Sequence, residues 1–363
     1  MAAMEPWVRA LLRWFARHRR PMPWRSLATP YRVWISEIML QQTQVKTATP
    51  YFERLVRAFP DVAALARARE SEVLRVWQGL GYYTRARNLH ACARVLVREH
   101  GGRVPPGYGV LRTLPGIGDY TAAAIASICA GEPVVSVDGN VVRVWSRFRD
   151  LHGDSETSRF RSGVKADLQP FMPVRRAGDF NESLMELGAL VCRPGQPDCR
   201  HCPIQRWCLG HAAGTAVGLP ERAIRKPVPV RRVTGVVIGS GDAVWLTRNR
   251  DARLLKGLWT IPLIQTTRRE LMDGLVDRTG TTRPMIRWDR DRMIQVFSHF
   301  RMEVRCCRVI VKTRFPVTLP GIRGKWVAVK RLDHYPLTRL TLRVMERFKM
   351  MPAGVGGGVL TGN

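Results

Sequence analysis

Residues 114–121 read Leu-Pro-Gly-Ile-Gly-Asp-Tyr-Thr, and the chain on either side is best understood outward from this turn. The Pro-Gly-x-Gly sequence joins two runs of helical spacing, which predicts a hairpin of two helices. Glycines at such a turn let backbone N–H groups approach a phosphate at the start of the second helix. Such a contact does not depend on the base sequence of a nucleic acid. An ordinary helix connection is the alternative. The predicted backbone-binding residues are Leu114, Pro115, Gly116, Ile117 and Gly118.

The long first part of the chain has the apolar spacing of helices. Apolar residues recur at helical intervals in segments such as 33–40, 73–77 and 121–126, whereas strand alternation is scarce. Prolines predict where helices break, at Pro30, Pro50, Pro60, Pro105, Pro106, Pro115 and Pro133. We therefore expect residues 1–210 to form a mainly α-helical domain.

The pattern changes after a connector rich in proline and charge, residues 211–232. Strands are predicted at 233–238, 243–247, 258–264, 302–311 and 326–329, and helices at 267–278 and 340–349. Residues 233–350 should thus form a smaller α/β domain. The glycine-rich tail, residues 351–363, is expected to be disordered.

Residues 192–208 contain four cysteines in the pattern C-x6-C-x2-C-x5-C. Four thiolates from one short, turn-rich segment can enclose an iron–sulfur cubane, whereas structural zinc sites usually split into two separated pairs. Zinc and four buried, unliganded cysteines are the alternatives. We predict one [4Fe-4S] cluster, with the ligands Cys192, Cys199, Cys202 and Cys208.

The composition indicates a polyanionic partner. Lys and Arg number 59 against 29 acidic residues, a formal net charge of +30, which favours nucleic acid through counterion release. A generally basic proteome could account for part of this excess. The sequence has neither a twenty-residue apolar span nor a signal-peptide core, so we expect a cytoplasmic protein without membrane contact.

A second motif follows the hairpin. Residues 137–141 read Val-Asp-Gly-Asn-Val, which sets a carboxylate just before the helical run 141–148. Taken alone, Asp138 could be an ordinary helix cap. The hairpin, this aspartate and the cysteine loop together resemble the helix–hairpin–helix DNA glycosylase superfamily. In that superfamily an Asp just after the hairpin is catalytic, and such a cysteine loop marks the endonuclease III and MutY branches.

Longer motifs resemble one branch, the adenine DNA glycosylases of MutY type. Residues 34–45 (WISEIMLQQTQV), Pro23-Trp24-Arg25, Pro30-Tyr31, residues 78–83 (QGLGYY) and residues 296–300 (VFSHF) all match it in order. Lyase-type members have a lysine after the hairpin, where this chain has Tyr120, and a phenol cannot form a Schiff base. The resemblance covers residues 5–350.

The reaction of that family explains the choice of two carboxyl groups. Cleaving the N-glycosidic bond of adenosine requires an acid on the departing base and an anion near the developing oxocarbenium ion. The apolar surroundings of Glu37 should raise its pKa and keep a proton available for adenine N7. Asp138 should stay ionised beside the sugar C1′, helped by N–H groups at its helix start. The resemblance assigns Tyr120 and Asn140 to supporting roles there.

The resemblance also implies the binding residues. Its adenine pocket maps to Arg20, Trp24, Leu40, Glu182 and Met185. Base flipping is least costly at a mismatch, and Gln42 and Tyr82 are expected to enter the gap. Recognition of 8-oxoguanine is expected from Phe297, Ser298 and His299. A surface glutamine, a core tyrosine and a structural histidine are the alternatives for Gln42, Tyr82 and His299.

The second domain resembles Nudix hydrolases but lacks their acidic metal-binding series, because residues 267–272 read Thr-Arg-Arg-Glu-Leu-Met. This domain is therefore expected to recognise damaged bases in DNA and not to hydrolyse nucleotides.

The resemblance implies a monomeric, monofunctional glycosylase that binds double-stranded DNA with A:8-oxoguanine or A:G mispairs and leaves an abasic site. The cluster should be structural, with redox sensing left open. An endonuclease III-like glycosylase/lyase, a non-catalytic iron–sulfur DNA-binding protein and a Nudix pyrophosphohydrolase are the alternatives.

Overall fold

The computed structural model describes residues 4–223, 227–249, 255–265, 285–297, 299–311, 314 and 322–350. These residues form two compact units. The first contains residues up to Arg67 and from Asn88 to the connector; the second contains Ala68–Arg87 and the described residues after the connector. A segment of the helical region thus packs with the C-terminal part. The predicted helix at 267–278 and the tail at 351–363 lie outside the described residues.

The first half of the described chain is helical, as expected. Its α-helices are α1 (Pro6–His18), α2 (Pro23–Ser26), α3 (Pro30–Leu40), α4 (Val45–Ala58), α5 (Val62–Arg67), α6 (Glu70–Val76), α7 (Tyr83–Glu99), α8 (Tyr108–Leu111), α9 (Asp119–Ala130), α10 (Gly139–Arg149), α11 (Ser158–Leu168), α12 (Ala177–Leu190) and α13 (Leu209–Ala212). Helix α6 belongs to the second unit, and α7 crosses from the second unit to the first.

Local sequence accounts for several helix ends. Pro30 occupies the first turn of α3, where a missing N–H costs nothing, and the side chain of Thr29 accepts a hydrogen bond from Arg32 N. The expected break at Pro50 was wrong, because α4 continues through it. Burial of Tyr51, Phe52 and Leu55 on that helix offsets the loss of one backbone hydrogen bond, about 3 kcal/mol.

An aromatic core holds α1, α10 and α12 together. The ring of Trp7 lies 4.9 Å from that of Phe148 and 5.6 Å from that of Trp145, centroid to centroid, and Phe180 packs on the same group. All four side chains are buried. Since large aromatic side chains contribute much of the burial energy of a core, this cluster fixes how α10 lies against α12.

The second unit contains a seven-stranded sheet among its described residues. Its strands are β1 (Val230–Ser240), β2 (Ala243–Arg248), β3 (Trp259–Thr260), β4 (Leu263–Ile264), β5 (Met285–Val296), β6 (Arg301–Ile310) and β7 (Gly324–Ala328), followed by helix α14 (Arg339–Arg347). The order is β3-β2-β1-β6-β5, with β4 on β1 and β7 on β2. The pair β1 and β6 is parallel and the other pairs are antiparallel.

Strand β5 was not predicted from the sequence. Its register against β6 shifts between Trp288 and Arg292, where the chain bulges. The bulge breaks the simple alternation of apolar and polar residues, so period-two reasoning missed the strand. The predicted strand at 258–264 is two short strands, β3 and β4, separated at Pro262, which has no N–H for a sheet.

Candidate active site

One cavity of about 950 Å³ lies in the first unit. Ten of the predicted catalytic and substrate-binding residues line it: Arg20, Trp24, Glu37, Leu40, Gln42, Tyr120, Asp138, Asn140, Glu182 and Met185. They come from α2, α3, α9, α10, α12 and the adjoining loops. The fold therefore brings residues from distant parts of the sequence to one concave surface large enough for a nucleoside.

Glu37 is a buried carboxyl group at the wall of this cavity. It lies on α3 with 6 % of its surface exposed, and the hydroxyl of Tyr120 donates a hydrogen bond to its Oε2 at 2.5 Å. Burial raises its pKa from 4.5 to about 7, with smaller contributions from the charges of Asp138 and Glu182, while the Tyr120 hydrogen bond acts in the opposite direction. Near neutral pH such a group can donate a proton.

Asp138 is the N-cap of α10. Its Oδ1 accepts a hydrogen bond from Val141 N and its Oδ2 from Asn140 Nδ2, both at 2.7 Å. Burial raises the pKa of Asp138 above its ordinary value, and these hydrogen bonds counteract the effect. The charged form of this group therefore depends on the N-terminus of α10, which both places the carboxylate and compensates part of its desolvation.

A chain of hydrogen bonds runs from Asn140 to the cysteine loop. Arg143 Nη2 donates to Asn140 Oδ1 at 2.8 Å, and Arg143 Nε donates to the carbonyl oxygen of Cys192 at 2.8 Å. The same Nη2 also reaches the carbonyl of Gly188 at 2.8 Å. A Cβ atom at Gly188 would lie 2.7 Å from Asn140 Cβ, so α10 and α12 can approach this closely because Gly188 has no side chain. Arg143 thus holds Asn140 in place.

Two acidic residues on α12 and an arginine that was not predicted complete the far wall. Arg25 Nε donates to Glu182 Oε1 at 2.7 Å, and Arg25 Nη2 donates to Glu186 Oε2 at 3.3 Å. Arg20 Nε donates to Glu186 Oε1 at 2.7 Å. Although burial opposes it, the hydrogen bond from Arg20 and the charge of Arg25 hold the pKa of Glu186 below its ordinary value.

Sequence reasoning missed Arg25 and Glu186 as cavity residues. One signal was available, because Glu182 and Glu186 are one helical turn apart and Arg25 directly follows the predicted pocket residue Trp24. Two buried carboxylates on one helix face need cationic partners. The sequence did not indicate which of its many arginines would supply the charge.

The four cysteines of residues 192–208 line a common cavity of their own. The buried guanidinium of Arg147 lies beside it, with Nη1 3.5 Å from Cys192 Sγ and 2.8 Å from the carbonyl of Arg193. Within the described part of the chain, no group of His, Cys, Asp or Glu is arranged around a single metal ion. Four thiols that line one cavity supply the donor set that a cluster with four thiolate ligands requires.

The hairpin between α8 and α9 has the predicted turn. Gly116 has φ of +75°, and a Cβ atom there would lie 2.5 Å from Asn88 Cβ, so both the backbone angle and the packing require glycine. Gly118 is the N-cap of α9 and has no side chain to accept from the first N–H groups of the helix. Leu114 and Ile117 are buried and anchor the turn.

Gln42, at the cavity of the first unit, has a positive φ of +55°. The remaining predicted residues belong to the second unit. Tyr82 is 52 % exposed and has φ of +48°, a strained value for a tyrosine. Phe297 and His299 lie in the turn from β5 to β6, where both contact the ring of Phe300, at 4.6 and 5.0 Å between centroids. Ser298 lies outside the described residues.

Comparison with known proteins places the chain in a family. Residues 35–166 match the family described as HhH-GPD superfamily base excision DNA repair protein, and residues 233–347 match the NUDIX domain family. An adenine DNA glycosylase of Rattus norvegicus is 34% identical over 89% of this chain and 74% of its own length. The chain belongs to the adenine DNA glycosylase family. It is thus a DNA-binding enzyme of base excision repair.

Other similarities to this glycosylase agree. An adenine DNA glycosylase of Mycobacterium tuberculosis is 37% identical over 74% of this chain and 90% of its own length. The solved structure of a thermostable thymine-DNA glycosylase aligns with a TM-score of 0.52 at 28% identity, over 57% of this chain and 95% of that chain. Both the predicted fold class, a helix–hairpin–helix domain followed by a Nudix-like domain, and the predicted family are confirmed.

Proposed function

We propose that this glycosylase removes adenine paired with 8-oxoguanine or guanine by hydrolysing its N-glycosidic bond, which leaves an abasic site. The observation that carries the proposal is the pair of carboxyl groups in one cavity. Glu37 has a pKa of about 7, and Asp138 is held by the N-terminus of α10. One can act as an acid and the other as an anion, which are the two groups that the reaction needs.

The reaction begins when adenine leaves the helix and enters the cavity. Unstacking costs a few kcal/mol and is least costly at a mispair. Gln42 and Tyr82 are proposed to fill the space near the opposite base. Both residues have left-handed backbone conformations, with positive φ angles, and Tyr82 is exposed. Strain and exposure of this kind are typical of residues whose position is set by function.

Glu37 then donates its proton to N7 of adenine. The bond between C1′ and N9 breaks, its electron pair goes to the base, and the sugar develops oxocarbenium character. Asp138 stabilises that positive charge through its carboxylate. A water molecule then adds to C1′ and gives its proton to the Glu37 carboxylate, which completes hydrolysis and restores the acid. Tyr120 and Asn140 orient the two carboxyl groups through the hydrogen bonds described above.

The adenine itself is proposed to bind among Arg20, Trp24, Leu40, Glu182 and Met185. The structure adds Arg25, which contacts Glu182 and Glu186 and thereby holds the polar wall of the cavity. Opposite the flipped base, Phe297, Ser298 and His299 are proposed to distinguish 8-oxoguanine from guanine. Phe297 and His299 lie in the turn that follows strand β5.

The cysteine loop is proposed to hold one [4Fe-4S] cluster through Cys192, Cys199, Cys202 and Cys208. All four line one cavity, and Arg147 ties the loop to α10 with hydrogen bonds to Arg193 and Gly195. Hydrolysis of a glycosidic bond transfers no electron, so the proposed contribution of the cluster is to order this loop, with redox sensing of DNA as the alternative. Absorbance near 410 nm and about four irons per chain would identify it.

The domain boundaries remain proposals, at residues 1–210, 211–232, 233–350 and 351–363. We also propose a monomer acting in the bacterial cytoplasm and associating with the nucleoid through its charge of +30. Among the described residues, no helix is long and apolar enough to cross a membrane. Light scattering in solution tests the monomer.

The decisive experiment uses duplexes that carry A opposite 8-oxoguanine, G or T. Chromatography should detect free adenine from the first two, and the product strand should break at the abasic site after alkaline treatment. Borohydride should trap no covalent adduct, because Tyr120 stands where a lyase needs an amine. A stable adduct, or release of no adenine from the 8-oxoguanine duplex, would refute the proposal.

A further inference from the structure

The hairpin carries an acidic residue at the place where it is expected to meet DNA. Asp119 is the first residue of α9, directly after Gly118 at the turn, and its side chain is 46 % exposed. A DNA phosphate held by the first N–H groups of α9 would lie within a few ångströms of this carboxylate. Two anions at that distance repel each other, which opposes binding.

Two side chains from neighbouring helices contact this carboxylate. Lys165 Nζ on α11 lies 2.8 Å from each of the two carboxylate oxygens of Asp119. The hydroxyl of Tyr108 on α8 donates a hydrogen bond to Asp119 Oδ1. Lys165 Nζ also lies 3.0 Å from Tyr108 Oη and 4.7 Å from the centre of its ring. We call these three residues the hairpin clamp.

The clamp has the features of a neutralising device. Lys165 is 22 % exposed, so its charge is directed at Asp119 in a partly desolvated setting where attraction is stronger than in water. The aromatic face of Tyr108 holds the ammonium group from another side. The contacts direct the carboxylate toward α8 and α11, and the N–H groups at the start of α9 keep their favourable field for an anion.

We propose that Lys165 is a positioning residue for DNA binding, which neutralises Asp119 so that the hairpin can accept a phosphate. The inference rests on the proposed function, in which the hairpin contacts the DNA backbone. It assigns to Lys165 an effect on affinity that passes through Asp119 and leaves the chemistry of the cavity unchanged.

Binding is measured by fluorescence anisotropy with the full-length protein and a duplex carrying a non-cleavable 2′-fluoro adenosine opposite 8-oxoguanine. At low salt, Lys165→Met should weaken binding by about tenfold, because Asp119 then faces the phosphate without its ion-pair partner and only the charge of Arg112 still offsets it. Lys165→Arg should keep most of the affinity. The double variant Asp119→Asn with Lys165→Met should return to within about twofold of the wild type.

Arg149→Met is the matched control. It removes one positive charge and breaks a different ion pair of α11, that of Arg149 Nε with Asp167 Oδ2 at 3.3 Å. Adding Asp119→Asn to this variant should raise affinity much less than it does in Lys165→Met, because Lys165 already neutralises Asp119 there. If Lys165 bound phosphate directly, or only tied the helices together, Asp119→Asn would raise the affinity of Lys165→Met no more than that of Arg149→Met. Either that equality or unchanged affinity of Lys165→Met overturns the inference.

The excision rate separates this inference from the proposed function. With enzyme in excess and saturating, Lys165→Met should release adenine from an A:8-oxoguanine duplex within about twofold of the wild-type rate constant. Absence of adenine release by the wild-type protein would refute the proposed function, whereas the pattern of affinities would still test the clamp.

Discussion

The two units differ in where they place the residues assigned to function. In the helical unit the carboxyl groups Glu37 and Asp138 are enclosed in a cavity, and burial raises the pKa of both. In the second unit Tyr82 and His299 are exposed, on a strained loop and in a turn between strands. Proton transfer requires a group removed from water, whereas reading a base requires side chains that reach outward. The burial of each residue therefore follows its proposed task.

The largest effect should come from the enclosed carboxyl groups. Glu37→Gln removes the acid and Asp138→Asn removes the anion, so each should lower the single-turnover excision rate by about a thousandfold. Binding to the A:8-oxoguanine duplex should persist, since neither change alters the cavity's size. The exposed Glu99→Gln is the control and should behave as the wild type. An excision rate close to that of the wild type in either cavity variant would contradict the proposed difference between the two units.

Burial of Glu37 should also cost stability above neutral pH. A pKa raised from 4.5 to about 7 means that the folded protein binds more protons than the unfolded chain between these values. The wild type therefore loses roughly 3 kcal/mol of stability as pH rises through this window. Glu37→Gln should unfold at higher denaturant concentration than the wild type at pH 8.5, and this gap should close at pH 4.5. A gap of equal size at both pH values would contradict the pKa.

The pH dependence of excision should identify Glu37 through its hydrogen bond with Tyr120. Above pH 7 the rate should fall by about tenfold per pH unit as Glu37 loses its proton. The Tyr120 hydroxyl lowers the pKa of Glu37, so Tyr120→Phe should move this decline to higher pH. Toward acidic pH, protonation of Asp138 should reduce the rate again, because burial raises the pKa of this carboxyl above its ordinary value. A decline that stays at the same pH in Tyr120→Phe would mean that another group titrates.

The smallest effect should come from the exposed turn of the second unit. Changing Ser298 and His299 together to Ala should reduce the preference for 8-oxoguanine over guanine by about fivefold, roughly 1 kcal/mol, because hydrogen bonds to one base edge are lost. Excision from an A:G duplex should hardly change. Measuring both rates under single-turnover conditions tests this. An equal loss of excision rate on the two substrates would mean that the turn does not distinguish 8-oxoguanine from guanine.

Parts of the fold that depend on neighbouring residues were predictable. The glycine turn at 114–118, the cap at Asp138 and the cysteine loop are local patterns, and the structure has each where the pattern lies. Predictions failed where distant packing changes the outcome. Tertiary burial carries α4 through Pro50, and a bulge hides β5 from the alternation rule. The assignment of segment 68–87 to the second unit had no local signal.

The candidate site divides in the same way. The sequence by itself determined which residue types are present, a Glu in an apolar helix and an Asp at a helix start, because capping and amphipathic spacing act over a few residues. Tertiary structure alone decided that the two carboxyl groups share a cavity, that Arg25 pairs with Glu182 and Glu186, and that Lys165 faces Asp119. The distances between side chains far apart in sequence are fixed when helices pack, and packing depends on the whole core.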